Sequence, residues 1–190
     1  SLHTNESYTL TIPESGAARL HAPHVVGALR GLETFFQLMQ PLAPAEFLVQ
    51  TPTSVHDAPR WSHRGLLLDT GRHYYPVSFI KHIIEGMAME KLSVLHWHIT
   101  EILSFPLVVE SVRELADAAA FSPAATYSHE DVADVVAYAR LHGVRVIPEL
   151  DMPGHMTAWG TALPDKNITM DCGTQHHIAN FSQADVSNEE

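Results

Sequence analysis

Four groups of polar residues could do chemistry in this chain, and each stands at the end of a predicted strand. His96 and His98 close the apolar run Leu92–Ile99, on either side of Trp97. Arg64 enters the run Gly65-Leu-Leu-Leu68 and Asp69 leaves it; Glu149 and Asp151 follow Val144-Arg-Val-Ile147, and His155 lies just past Gly154. Side chains two apart on an extended strand face the same way, so His96 is expected beside His98 and Glu149 beside Asp151. Two histidines at a strand end, a carboxylate and another histidine can form a ligand set for a hydrolytic metal, the first chemistry such a group offers. His96 and Trp97 also suit packing in a strand layer, which needs no ligand.

The elements that must position these groups fall into two rhythms. In the first, Tyr8-Thr-Leu-Thr-Ile12 alternates apolar and polar residues as a half-buried strand does, and Pro13-Glu-Ser-Gly16 turns the chain. Val25, Leu29, Leu32 and Phe36 recur at helical spacing, and the pattern ends before Pro41. Phe47-Leu-Val49 is a short strand, and Pro52 to Pro59 reads as a linker, so residues 1–60 form a small α+β domain.

In the second rhythm, strands alternate with helices. Gly65–Asp69 is a strand, Pro76 opens a helix with the stripe Ile80, Ile83, Ile84 and Met87, and Leu92–Ile99 is the next strand. After an Ala-rich connection, Ser128-His-Glu-Asp131 caps a helix that Gly143 ends, and Val144–Ile147 is a third strand. This order predicts parallel α/β architecture, either an open doubly wound sheet or a (β/α)₈ barrel. No Gly-rich phosphate loop follows the first strand, which favours the barrel. A full barrel takes about 250 residues. Residues 61–190 therefore hold its first three βα units, a partial TIM barrel whose strand ends meet at one mouth.

Composition excludes some partners. A formal charge of −11 with only 11 Lys plus Arg offers no basic stripe for nucleic acid. No apolar run approaches the roughly 20 residues of a membrane span. Fourteen histidines would carry most of that negative charge away in a mildly acidic compartment. The sequons at Asn5, Asn167 and Asn180 fit a secretory route, and together these features point to a lysosomal or secreted protein. Cys172 is the single cysteine, either a free thiol or one half of a disulfide.

Six motifs in register give a sharper reading. Ser62-His-Arg-Gly-Leu-Leu-Leu-Asp-Thr70, Arg72-His-Tyr-Tyr-Pro76, Val94-Leu-His-Trp-His-Ile99, Ser104-Phe-Pro106, Tyr138-Ala-Arg-Leu-His-Gly-Val-Arg-Val146 and Pro148-Glu-Leu-Asp-Met-Pro-Gly-His155 resemble the β-N-acetylhexosaminidases of glycoside hydrolase family 20. Gly27-Ala-Leu-Arg-Gly-Leu-Glu-Thr-Phe35 resembles the helix of the small domain before the barrel in that family. The resemblance implies hydrolysis of terminal N-acetylglucosamine or N-acetylgalactosamine from glycans, without a cofactor or metal, the substrate's own acetamido oxygen serving as nucleophile. It implies that Arg64 grips sugar hydroxyls with help from Trp159 in substrate binding. It also implies that His155 links the loop carboxylate Glu101 to the general acid, with Asp151 and Glu149 in support. His96, His98 and Asp69 support the strand end.

The same comparison marks departures. Where the family shows two adjacent aspartates and a small polar residue or Gln, this chain has Glu101, Ile102 and Leu103. The family's general acid and its neighbouring aspartate form an Asp-Glu dipeptide after the fourth strand, and no Asp-Glu dipeptide occurs here. The resemblance thus predicts an N-terminal part of a hexosaminidase, inactive alone. It also predicts a partner for Cys172, and a homodimer contact, in the part not present. Two alternatives stand beside it: a metal-dependent amidohydrolase-like barrel built on His96 and His98, and a non-catalytic sugar- or partner-binding fragment built on Arg64 and Trp159.

Overall fold

The computed structural model describes residues 4–44, 46–171 and 182–185, so Cys172 and Asn180 lie outside the described residues. The first unit carries β1 (Tyr8–Ile12), β2 (Arg19–His21), α1 (Val25–Leu38), β3 (Gln40–Ala43), β4 (Glu46–Leu48) and β5 (Thr53–Asp57). β1 is the central strand of an antiparallel sheet in the order β2-β1-β5. Its alternating residues Tyr8, Leu10 and Ile12 are buried, with Phe35 and Leu38 of α1 packed against them. The helix sits close because Gly31 has no side chain: a Cβ there would collide with the Leu20 side chain and stand 2.9 Å from the Tyr8 ring.

The stretch read as a linker is instead β5. Thr53–Asp57 pairs with β1 along its whole length, from Tyr8 opposite Asp57 to Ile12 opposite Thr53. The bracketing prolines, 52 and 59, suggested irregular chain, but both lie outside the ladder and leave its hydrogen bonds intact. The short strand expected around Phe47 is β4, which closes an exposed hairpin with β3.

The second unit carries β6 (Gly65–Asp69), α2 (Val77–Met89), β7 (Val94–His98), α3 (Glu114–Ala119), α4 (His129–Leu141), β8 (Arg145–Glu149), α5 (Thr157–Ala162), β9 (Thr169–Asp171) and β10 (Ser182–Ala184). β6, β7 and β8 form a parallel sheet in that order. Ile80, Ile84 and Met87 of α2 and Val135 and Ala139 of α4 pack with Leu95, Trp97 and Ile99 into one core. The predicted cap of α4 is a capping box: Ser128 Oγ accepts from the Asp131 N–H, and the Asp131 carboxylate accepts from the Ser128 N–H. The Ala-rich connection holds α3, whose Leu115 and Ala119 form a second core with Phe105 and with Ala158 of α5. Among the described residues, no helix is long and apolar enough to cross a membrane.

Ion pairs join the two units at the amino ends of the parallel strands. Buried Glu6 accepts from Arg30 Nε at 3.0 Å and from an Arg64 terminal nitrogen at 2.7 Å, and Arg30 also donates to the carbonyls of Leu92 and Gly143. Burial opposes the charge on Glu6, but the hydrogen bonds and charges of Arg64 and Arg30 outweigh it and hold the carboxyl below its ordinary range. A depressed carboxyl contributes stability that is present above its unfolded pKa and lost as pH falls through the folded one. Arg30→Ala leaves Glu6 buried with one partner fewer, so denaturant unfolding at neutral pH is expected to show a loss of about 3 kcal/mol or more. The deficit shrinks as pH falls through the carboxylate range; a loss that does not change with pH would contradict the ion-pair account.

Candidate active site

The carboxyl ends of the sheet deliver a register row. Asp69 lies opposite His98, and His98 opposite Glu149, on the three adjacent strands. Around this row a closed circuit of alternating acids and bases forms. His98 Nδ1 lies 3.1 Å from Asp69 and its Nε2 3.3 Å from Asp151. Asp151 is 2.6 Å from His155 Nδ1, and the same nitrogen is 2.8 Å from Glu101. Glu101 accepts from one terminal nitrogen of Arg72, and the other donates to Asp69 at 2.6 Å.

Local sequence explains how these groups meet. After β6 the N–H groups of Thr70 and Gly71 both donate to the His98 carbonyl, which holds this loop against the end of β7. Gly71 is needed there because a Cβ would come within 2.8 Å of the Thr100 carbonyl carbon. Glu101 and Ser104 exchange backbone hydrogen bonds and close the next loop into a tight turn, while Ser104 Oγ donates to the Gly71 carbonyl. His155 adopts the left-handed conformation, φ 53°, a strain that the flanking structure must hold. Asp69 is held below the ordinary carboxylate range: partial burial works against its charge, and the Arg72 and His98 hydrogen bonds prevail.

The sequence-predicted residues divide. Asp69, His98, Glu101, Asp151 and His155 come together. His96 does not share a partner with His98; it takes Glu149, 2.5 Å away, so the two histidines of the motif serve different carboxylates. Trp97 is fully buried in the helix-side core, donating to Thr70 Oγ1. Trp159 packs edge-on against Phe105 in the second core.

Arg64 lies apart from this circuit. It precedes β6 at the opposite end of the sheet, and its donors are committed to Glu6 and to the carbonyls of Trp61 and Lys91. The arginine at the strand mouths is Arg72, which the sequence reading passed over within its own motif. Its side chain is 61% exposed, so it offers guanidinium surface to a ligand while two carboxylates fix it. The signal that could have found it is the spacing Asp69-Thr-Gly-Arg72, which returns a cation to the strand-end carboxylate.

Two sets of three groups, His98 with Glu149 and Asp151 and Glu101 with Asp151 and His155, bring ligand atoms within 4.8 Å of one another. Asp151 belongs to both, and Arg72 already pairs with Asp69 and Glu101. Among the described residues His96 belongs to neither set.

Residues 61–189 match the family described as glycosyl hydrolase family 20, catalytic domain, and residues 1–38 match one described as beta-acetyl hexosaminidase like. The chain belongs to glycosyl hydrolase family 20. It is 41% identical over 187 residues to beta-hexosaminidase subunit A1 of Dictyostelium discoideum, covering 98% of this chain and 34% of that protein. It is 45% identical over 165 residues to human beta-hexosaminidase subunit beta, covering 87% and 29%. The fold superposes on the family 20 chitobiase of Flavobacterium johnsoniae with a TM-score of 0.81 at 31% identity, over 91% of this chain and 25% of that one. This family 20 chain thus spans about a third of the length of these curated relatives.

Asp69→Asn removes one anion from between Arg72 and His98. At neutral pH the variant is expected to unfold with about 1–3 kcal/mol less stability. Asp69 has a lowered pKa, so its contribution is present above the unfolded carboxylate range and vanishes as pH falls through the folded value. Urea titrations of both proteins from pH 7 to pH 2 should therefore converge at the acid end; curves that stay parallel would refute the ion-pair role.

Proposed function

We propose that this chain supplies the substrate-gripping and positioning part of a β-N-acetylhexosaminidase, in which β6, β7 and β8 are the first three strands of a (β/α)₈ barrel and residues 1–60 the small domain before it. The observation that carries the reading is the exposed Arg72, fixed between Asp69 and Glu101 at the carboxyl ends of the parallel strands. A planar guanidinium held by two carboxylates is pre-oriented to present donors to paired sugar hydroxyls. Arg72 thereby takes the role that the resemblance had assigned to Arg64.

The remaining circuit positions the catalytic acid. Glu101 reaches His155 at 2.8 Å although its side chain is one methylene longer than the aspartate usual in the family. His155, tied at the same nitrogen to Asp151, is fixed to pass the field of these carboxylates to a general acid beside it. The acetamido oxygen of the substrate attacks the anomeric carbon while the acid protonates the leaving oxygen. The Asp-Glu dipeptide that performs the second task in the family is not among these 190 residues, so they bind sugar without cleaving it. Exposed Asn5 and Asn167 suit glycosylation on a route to a lysosomal or secreted destination.

Calorimetric titration of the 190-residue chain with methyl β-N-acetylglucosaminide tests the grip. Binding is expected, weakened roughly tenfold or more in Arg72→Ala, since hydrogen bonds to a charged group contribute about 1.5–3 kcal/mol. Arg72→Lys should not restore it, because a point charge does not hold two oxygens. A chromogenic N-acetylglucosaminide should show no turnover; turnover abolished by Glu149→Gln would overturn the division of labour.

A further inference from the structure

Tyr127 is fully buried, and its hydroxyl serves the backbone of another segment. It donates to the Tyr75 carbonyl at 2.6 Å and accepts from the Tyr75 N–H at 3.3 Å, so both backbone groups of one residue in the loop after β6 meet one phenol oxygen. The ring lies between two aromatic neighbours, stacked on Tyr74 at 4.9 Å and edge-on to Trp97 at 5.1 Å. Burial pushes the phenol pKa up to about 12, so the group stays a neutral donor. Packing does not require the hydroxyl, because a phenylalanine ring would fill the same place in the core.

The loop that Tyr127 holds is the one that carries Arg72. Its other end is fixed at Thr70, whose N–H donates to the His98 carbonyl at 2.8 Å and whose Oγ1 accepts from Trp97 Nε1 at 2.9 Å. Residues 71–74 therefore span two anchors, and Arg72 stands between them. Tyr127 also reaches the loop after β7: its N–H donates to the Pro106 carbonyl and its carbonyl accepts from the Val108 N–H, both at 2.8 Å. That segment follows directly on the Glu101–Ser104 turn. One residue from the connection before α4 thus fixes the loop of Arg72 and the loop of Glu101 relative to each other.

We infer that Tyr127 is a positioning residue for the sugar grip: its hydroxyl clamps the Tyr75 backbone and so holds the Arg72 guanidinium where Asp69 and Glu101 can orient it. The inference rests on the reading of Arg72 as that grip. None of the hydrogen bonds of Tyr127 named above goes to a member of the circuit, so it acts through the backbone. The two carboxylates set the angle of the guanidinium, and the loop sets the place from which it reaches them. A loop freed at Tyr75 lets Arg72, whose side chain is 61% exposed, spread over more positions, and sugar binding must then meet the cost of ordering it.

The test compares Tyr127→Phe, which keeps the ring and its aromatic contacts, with Tyr138→Phe, which removes a hydroxyl that α4 donates to Glu85 of α2. Both 190-residue variants are titrated with methyl β-N-acetylglucosaminide at a temperature where circular dichroism shows each fully folded, beside the parent and Arg72→Ala. Tyr127→Phe is expected to bind about three- to tenfold more weakly than the parent, and Tyr138→Phe as tightly as the parent. In nitrogen-15 spectra the Arg72 Nε signal is expected to shift or broaden in Tyr127→Phe and to stay in place in Tyr138→Phe. A folded Tyr127→Phe that binds like the parent, while Arg72→Ala loses the sugar, overturns the positioning role and leaves the grip standing. Weaker binding with an unchanged Arg72 signal, or equal weakening in Tyr138→Phe, makes the loss a general one and overturns the role as well. A parent that does not bind, or an Arg72→Ala variant that binds like the parent, overturns the reading of Arg72 on which the inference depends.

Discussion

Three carboxylates at one strand end repel one another, and everything at this site follows from how that repulsion is relieved. At 4 Å two like charges cost about 4 kcal/mol at the effective dielectric near a protein surface. Asp69, Asp151 and Glu101 are separated by His98, His155 and Arg72, so that each acid faces two bases and each base two acids. A closed circuit fixes every member by two neighbours, which is the stiffness a preorganised site requires. Arg72 matters most because its charge is permanent and its side chain is the member most open to solvent.

The fold meets the constraint by bringing three short segments, 69–72, 98–101 and 149–155, to one end of a parallel sheet. The register row Asp69, His98 and Glu149 comes from strand pairing, whereas Arg72, Glu101, Asp151 and His155 come from loops that follow the strands. Those loops are bound to one another by Gly71, Ser104 and Thr100, whose Oγ1 accepts from the Asp151 N–H. At the opposite end, Arg30, Glu6 and Arg64 join the small unit to the same strands. The two ends use the same chemistry for different purposes: buried and closed below, partly open above.

The periodicities of Tyr8–Ile12, the helix from Val25, the three parallel strands and the Ser128 cap were legible because each is a local pattern. The strand at 53–57 was not, since its hydrogen bonds go to β1 more than forty residues away and its flanking prolines read as irregular chain. Most of the site was legible as strand-end polar residues, but its connections were not. Spacing of two placed His96 and His98 together, whereas partners on the neighbouring segments divided them between Glu149 and the Asp69–Asp151 pair. The placement of Arg64 and Arg72 has the same origin: they stand in adjacent motifs at opposite ends of β6, and only the direction of that strand tells which one reaches the carboxyl ends of the sheet.

A crystal structure of the chain with N-acetylglucosamine bound tests the central claim most directly. The account predicts sugar hydroxyl oxygens within hydrogen-bond distance of the Arg72 guanidinium, with Asp69 and Glu101 still holding it and Arg64 still on Glu6. A sugar seated at the Arg64 end of the sheet, or bound with Arg72 untouched, would contradict it.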